Sequence, residues 1–355
     1  MEDYMFLEMS ETPEVVRRLV EGHETLDRVV ERVAAAKPKS FLFTGCGSSY
    51  YAGLTGTYAS HQLVRIPGFP LSALDFLHYR SVGVGAGTIL FALSQSGETA
   101  ETVRAAQAAH RNGAQVVAVT NNADSALGKL AAGTIPLFAG EECGPGTKTV
   151  VAETLAIYMF FLKLAQRMGT ILPVQAEEAW KELARAAEFA QRLQEEGRAR
   201  QDLVRLLSGR QSIFVVGTGP YSALAFQAAN VLKETTKLHT EGFEVAEFRH
   251  GPLEMVDERA AIISLGVPES PLHRDLLAVC SIGQKAGALW VGVTSGDDEA
   301  TLSSCDVYHL VPKLSELLGS VLVLSVFQEW SYAMSRGRGF NPNIFRNINK
   351  TWREE

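Results

Sequence analysis

Ser40-Phe41-Leu42-Phe43-Thr44-Gly45-Cys46-Gly47-Ser48-Ser49 is a short apolar run that meets small residues, and Ser212-Ile213-Phe214-Val215-Val216-Gly217-Thr218-Gly219-Pro220-Tyr221 repeats the pattern. The glycines that close the two runs are 217 − 45 = 172 residues apart. Thr88 to Leu93 and Ala260 to Leu265 follow at the same spacing, 260 − 88 = 172, and both lead into polar loops. A third pair, Gln115 to Thr120 and Leu289 to Thr294, is offset by 294 − 120 = 174. Three matched pairs in one order indicate an internal duplication.

Each half alternates continuous apolar runs with Ala-rich amphipathic stretches such as Thr99 to Arg111 and Ser222 to Lys237. Apolar strands without polar alternation, separated by helices, imply a parallel sheet covered on both faces. The expected fold is therefore α/β: two tandem domains, each a doubly wound parallel sheet in a three-layer sandwich of the flavodoxin-like or Rossmann-like kind. Gln175 to Leu207 carries apolar residues at helical spacing and reads as a connecting helix or helix pair. The domains are expected at 39–195 and 196–340, with N-terminal helices over 1–38 packing on the first domain and a tail over 341–355. Thr12-Pro13-Glu14 predicts a helix start with Thr12 as its N-cap.

The chain has 355 residues, 46% of them hydrophobic, enough for two cores. Its net charge of −7 argues against a nucleic-acid or anionic-membrane partner, which selects a basic face. Met1-Glu2-Asp3-Tyr4 lacks the basic and apolar regions of a signal peptide, so a cytoplasmic location is expected. The apolar stretches Leu155 to Leu162 and Val321 to Phe327 fall short of the ~20 residues that span a bilayer and read as core helices. Cys46, Cys143, Cys280 and Cys305 have neither metal-ligand nor disulfide spacing and are expected to be thiols, with no metal or cofactor.

In open parallel sheets ligands bind beyond the carboxyl ends of the strands. Ser94-Gln95-Ser96-Gly97-Glu98-Thr99 sits at such an end, before a helix. Its hydroxyls, amide and glycine fit an anion cradle at the positive end of the helix dipole, and they equally fit an ordinary capped helix start. Ser48 and Ser49 could reach the same ligand from the neighbouring strand end. The Gly-x-Gly turns lack the third glycine of a dinucleotide site, since Tyr50 and Ser222 stand there. Glu234 lies on a predicted helix, where an acid is usually solvated. His250 precedes Gly251-Pro252, which interrupts regular structure and exposes an imidazole suited to proton transfer near neutrality; a packing role fits it as well.

Five motifs in order carry a family resemblance: Cys46-Gly47-Ser48-Ser49-Tyr50-Tyr51-Ala52-Gly53, Ser94 to Thr99, Lys233-Glu234, Glu247-Phe248-Arg249-His250-Gly251-Pro252, and Asn341-Pro342-Asn343 through Arg346-Asn347-Ile348-Asn349-Lys350. The chain resembles the sugar isomerase (SIS) superfamily from about Glu11 to Trp352, and in particular the isomerase half of glucosamine-6-phosphate synthase and its stand-alone relatives. The resemblance implies that Ser49, Ser94, Gln95, Ser96 and Thr99 hold the 6-phosphate of a sugar, with Ser48 beside them. It implies that Glu234 moves a proton between C1 and C2 of the opened sugar. His250 would assist ring opening from the neighbouring subunit of a homodimer, and Lys350 would close over the sugar from an ordered tail.

Departures from the synthase pattern narrow the expectation. No amide-cleaving cysteine opens the chain, so glutamine is not expected as nitrogen donor. Val231 replaces a lysine three residues before Glu234, and Gly146 stands where the synthase has a serine. The reading favoured is an isomerase–deaminase that converts glucosamine 6-phosphate to fructose 6-phosphate and ammonia. The alternative is a deglycase acting on 6-phosphorylated fructosamine or glucoselysine adducts, and a different class is a non-catalytic sugar-phosphate-binding regulator. Phe248 to Glu254 resembles the deglycases, while the Ser94 to Thr99 loop and the Arg346 to Lys350 tail resemble the isomerase–deaminases.

Overall fold

A computed structural model describes residues 3–348 and Lys350. It contains two five-stranded sheets, each all-parallel. The first comprises β1 (Ser40–Gly45), β2 (Gly68–Ser72), β3 (Thr88–Leu93), β4 (Gln115–Thr120) and β5 (Gly133–Pro136) in the order β2-β1-β3-β4-β5. The second comprises β6 (Ser212–Gly217), β7 (His239–Glu244), β8 (Ala260–Leu265), β9 (Leu289–Ser295) and β10 (Val307–Val311) in the order β10-β9-β8-β6-β7. Counted from its own first strand, each sheet runs 2-1-3-4-5, so the duplication extends from the three strand pairs legible in the sequence to all five.

The two sheets belong to two compact units. One holds residues 11–142, 148–187 and the tail from 347; the other holds residues up to Ser10, 143–147 and 188–346. Within the first unit, alternation along the strands sends residues to opposite faces. Leu42, Leu90, Ala92, Val116 and Ala118 pack with Ala105, Ala106 and Ala109 of the helix Ala100–Arg111. On the other face Phe41, Phe43 and Phe91 meet Phe160 and Phe161 of the helix Lys148–Met168, with Phe41 and Phe161 edge-on at 5.1 Å. Each fully buried ring contributes roughly 1.5–3 kcal/mol of transfer free energy. In the second unit Phe214, Val216, Ile262 and Trp290 share a core with Phe248 and with Val279 and Cys280 of the helix His273–Lys285.

Two helical segments, Lys148–Met168 and Glu316–Gly337, are long and apolar enough to cross a membrane by length and composition. The most apolar window of each is 89% buried inside the protein, as core helices are. The predicted cap at Thr12 is corrected: the helix Thr12–Glu21 includes Thr12, with Glu11 at the N-cap position and no side-chain cap. The preceding helix Tyr4–Ser10 runs into it with Glu11 already in the right-handed helical region, so Thr12 has no exposed amides to cap. That first helix packs on Leu324–Gly337, whereas Thr12–Glu21 and Asp27–Ala35 pack on Lys148–Met168.

Candidate active site

In a sheet of order 2-1-3-4-5 the chain leaves the first and third strands in opposite directions, and the crevice opens between their carboxyl ends. In the first unit that places Cys46 to Ser49, after β1, beside Ser94 to Thr99, after β3. Helices start from both loops: Ser48–Ala59 behind Gly47, which takes φ +56°, and Ala100–Arg111 behind Thr99. Two helix N-termini therefore present amides and positive dipole ends at the same edge.

The loop after β3 is held by its own side chains. The buried Ser94 Oγ shares a hydrogen bond with Thr99 Oγ1 at 3.0 Å and accepts from the Gly97 amide at 3.1 Å. Ser96 Oγ accepts from the Glu98 amide at 3.2 Å, and the Gln95 carbonyl accepts from Asn121 N and Thr120 Oγ1. Glu98, the loop's one acid, accepts from the Ala126 amide at 3.0 Å. Gly97 has φ +69°, and a Cβ there would lie 2.0 Å from Ser125 Oγ. Only glycine fits that turn. Gln95, Ser96 and Thr99 remain partly exposed.

An acid not legible as a site residue in the sequence, Glu153, contacts the first of these loops, and Glu142 lies near Glu153. Ser49 Oγ lies 3.0 Å from Oε1 of Glu153, in hydrogen-bond contact, and Glu153 is 1% exposed on the helix Lys148–Met168. Burial pushes the Glu153 carboxyl up to about 8 against the opposing Ser49 bond, and the nearby Glu142 carboxylate adds to the rise. Glu142 accepts from Thr149 N and Oγ1, at 3.2 and 2.6 Å, and from Lys350 Nζ at 2.9 Å. The predicted tail lysine thus reaches the unit that carries the phosphate-type loop. The signal in the sequence was an acid inside an apolar helix, Val150-Val151-Ala152-Glu153-Thr154-Leu155.

Glu234 and His250 belong to the other unit. Glu234 is half-buried in the last turn of the helix Pro220–Thr236, which ends on the left-handed Lys237, φ +60°. The Lys237 ammonium donates to the Glu234 carbonyl, and its pKa is lowered by burial despite the Glu234 charge. His250 follows the short helix Val245–Arg249, whose start is capped by Glu244 accepting from Ala246 N at 2.8 Å and Glu247 N at 3.2 Å. Phe248 anchors that helix in the core, Gly251 turns the chain at φ +145°, and His250 is left exposed.

The SIS domain model matches residues 35–163 and 206–327, which span both sheets. The chain belongs to the SIS domain family. It is 32% identical over 357 residues to the glutamine–fructose-6-phosphate aminotransferase (isomerizing) of Aeropyrum pernix, covering 98% of this chain and 57% of that protein. This SIS chain thus spans little more than half the length of the curated relatives it matches. Among solved structures it superposes on the C-terminal domain of glucosamine-fructose-6-phosphate aminotransferase from Francisella tularensis with TM-score 0.86 at 24% identity, covering 96% and 97% of the two chains. It also superposes on glucosamine-6-phosphate deaminase from Thermotoga maritima with TM-score 0.73 at 17% identity, covering 97% and 99%. These likenesses to solved structures establish the shared fold.

Proposed function

We propose that the chain is a phosphosugar isomerase acting on a 6-phosphorylated amino sugar, and that it runs as an isomerase–deaminase on glucosamine 6-phosphate. The observation that carries this reading is the pair of helix N-termini at the β1/β3 crevice, lined by uncharged donors. Ser48, Ser49, Ser94, Gln95, Ser96 and Thr99 would hold the phosphate, whose charge is met by amides and hydroxyls acting together. Binding energy taken at the phosphate would orient carbons several bonds away.

His250 would protonate the ring oxygen as the C1–O bond breaks and the C1 hydroxyl gives its proton to water, which opens the sugar to its C1 aldehyde. Glu234 would then take the proton from C2 and return it to C1, which leaves a 2-imino sugar. One water adds to the C2 imine, and ammonia departs to give fructose 6-phosphate. Lys350 would close on the sugar oxygens. The exposure of His250 supports a site completed by a second copy of the chain. The 32%-identical relative, whose name couples isomerisation to fructose 6-phosphate, supports a hexose 6-phosphate as the substrate class.

The test is a coupled assay of the purified chain for ammonia, free lysine and hexose phosphate across glucosamine 6-phosphate and fructosyl- and glucosyl-lysine 6-phosphates. Ammonia with fructose 6-phosphate supports the reading. Free lysine alone would replace it with the deglycase, and saturable binding without any product would make the chain a regulator.

A further inference from the structure

Glu153 stands out among the buried titratable groups because its hydrogen-bond partner is Ser49, a residue of the proposed phosphate crevice. A carboxylic acid 1% exposed on an apolar helix is costly to ionise, and Ser49, 3.0 Å away, is its contact with the crevice edge. The hydroxyl of Ser49 has one proton to donate. An ionised Glu153 can only accept, so it takes that proton and leaves Ser49 presenting lone pairs toward an anion. A protonated Glu153 can donate to Ser49 Oγ instead, which frees the Ser49 O–H for a phosphate oxygen.

We propose that Glu153 is a positioning residue for the phosphate site, and that ligand phosphate is held well only when the Glu153 carboxyl carries its proton and directs the Ser49 hydroxyl outward. The inference rests on the phosphosugar reading of the crevice. The carboxyl's rise to about 8 places the proton on Glu153 at neutral pH. Its neighbours are consistent with that state. From the loop before its helix comes Glu142, which is engaged by Thr149 and Lys350. The helix Ser48–Ala59, packed against the helix of Glu153, carries Tyr50 and Tyr51, whose phenols are both raised by burial. The N-terminal helices meet the same long helix at Lys148, Lys163 and Arg167 through Glu11, Asp27 and Glu31, as closed ion pairs. The Cys46 thiol, just after β1, is exposed at its residue surface, and partial desolvation of the sulfur still raises it.

Fructose 6-phosphate binding, measured by calorimetry from pH 7 to 9.5, tests the proposal, because a phosphate monoester with its second pKa near 6 is a dianion throughout that range. Affinity of the parent chain should fall above pH 8, by up to about tenfold per pH unit if the ionised form does not bind. Glu153→Gln, whose amide can donate to Ser49 at every pH, should flatten that fall. Glu153→Leu, which suits an apolar helix but cannot hydrogen-bond, should bind more weakly at every pH, with thermal melting used to confirm that both variants fold. Equal slopes in the parent and Glu153→Gln, or Leu binding as well as Gln, would overturn the role of Glu153 alone. No binding of any hexose phosphate by the parent at any pH would overturn the phosphosugar reading beneath it.

Discussion

The loop after β3 and the loop after β8 leave equivalent strands of two sheets with one strand order, yet they carry opposite chemistry. In the first, Ser94, Gln95, Ser96 and Thr99 offer uncharged donors, and the lone acid Glu98 is engaged by a neighbouring amide. In the second, Gly266-Val267-Pro268-Glu269-Ser270 brings a carboxylate, which Lys313 bridges at 2.7 Å to Asp297 in the loop after β9, 2.6 Å away. The first loop offers uncharged donors, and the second is occupied by two acids and one base. The two halves share a backbone frame, and the proposed function divides the work between them: ligand anion in one half, Glu234 and His250 in the other.

The largest effect that would sharpen this division is expected at His250. His250→Ala should lower turnover of glucosamine 6-phosphate by about 10²–10⁴-fold while hexose phosphate affinity stays close to that of the parent. Mixing it with a Glu234→Gln chain should recover activity through dimers that carry one intact site. Steady-state ammonia release reads both, and no recovery from mixed dimers shown to form would place the whole site in one chain.

A second effect belongs to the first half. Glu153 has a folded-state pKa raised from 4.5 to about 8, so its contribution to stability is fully present below the unfolded value and is lost as pH rises through 8. Glu153→Gln does not titrate and escapes that loss. Its melting temperature relative to the parent should rise steadily between pH 5 and 8.5. The change should amount to a few kcal/mol, since each pKa unit is about 1.4 kcal/mol. A constant difference across that range would mean that the parent buries an ionised Glu153.

The smallest effect separates the two loops as backbones. Gly97→Ala must hold φ +69° with a Cβ 2.0 Å from Ser125 Oγ, which should cost about 1–3 kcal/mol and weaken phosphate binding. Gly266 has no left-handed backbone, and its added Cβ would meet Thr218 Oγ1 at 3.0 Å and Leu276 Cδ2 at 3.2 Å. Gly266→Ala should cost about 1 kcal/mol or less and leave phosphate affinity alone. Denaturant titrations of the two variants, with binding measured alongside, check the contrast.

Much of the frame was legible because central strands of a doubly wound sheet are buried on both faces. Thr88–Leu93, Gln115–Thr120 and Ala260–Leu265 have apolar interiors, and the observed strands keep the bounds that the sequence implies. The strands that no apolar run marks are β2, β5, β7 and β10, the four sheet edges. Gly-Phe-Pro-Leu-Ser and His-Thr-Glu-Gly-Phe-Glu are half exposed and mix polar residues with glycine and proline, as edges do. Glu153 was hidden for another reason: its meaning comes from Ser49, 104 residues earlier, and no local pattern records that contact. Glu142 likewise takes its meaning from a distant residue, since Lys350, 208 positions later, donates to it.

The division of labour is tested most directly on Glu234→Gln, by following exchange of the C2 proton of glucosamine 6-phosphate with solvent deuterium by NMR and measuring phosphosugar affinity on the same preparation. Exchange should fall by at least about 100-fold while affinity remains close to that of the parent. Exchange that persists, or affinity lost together with exchange, would contradict that division.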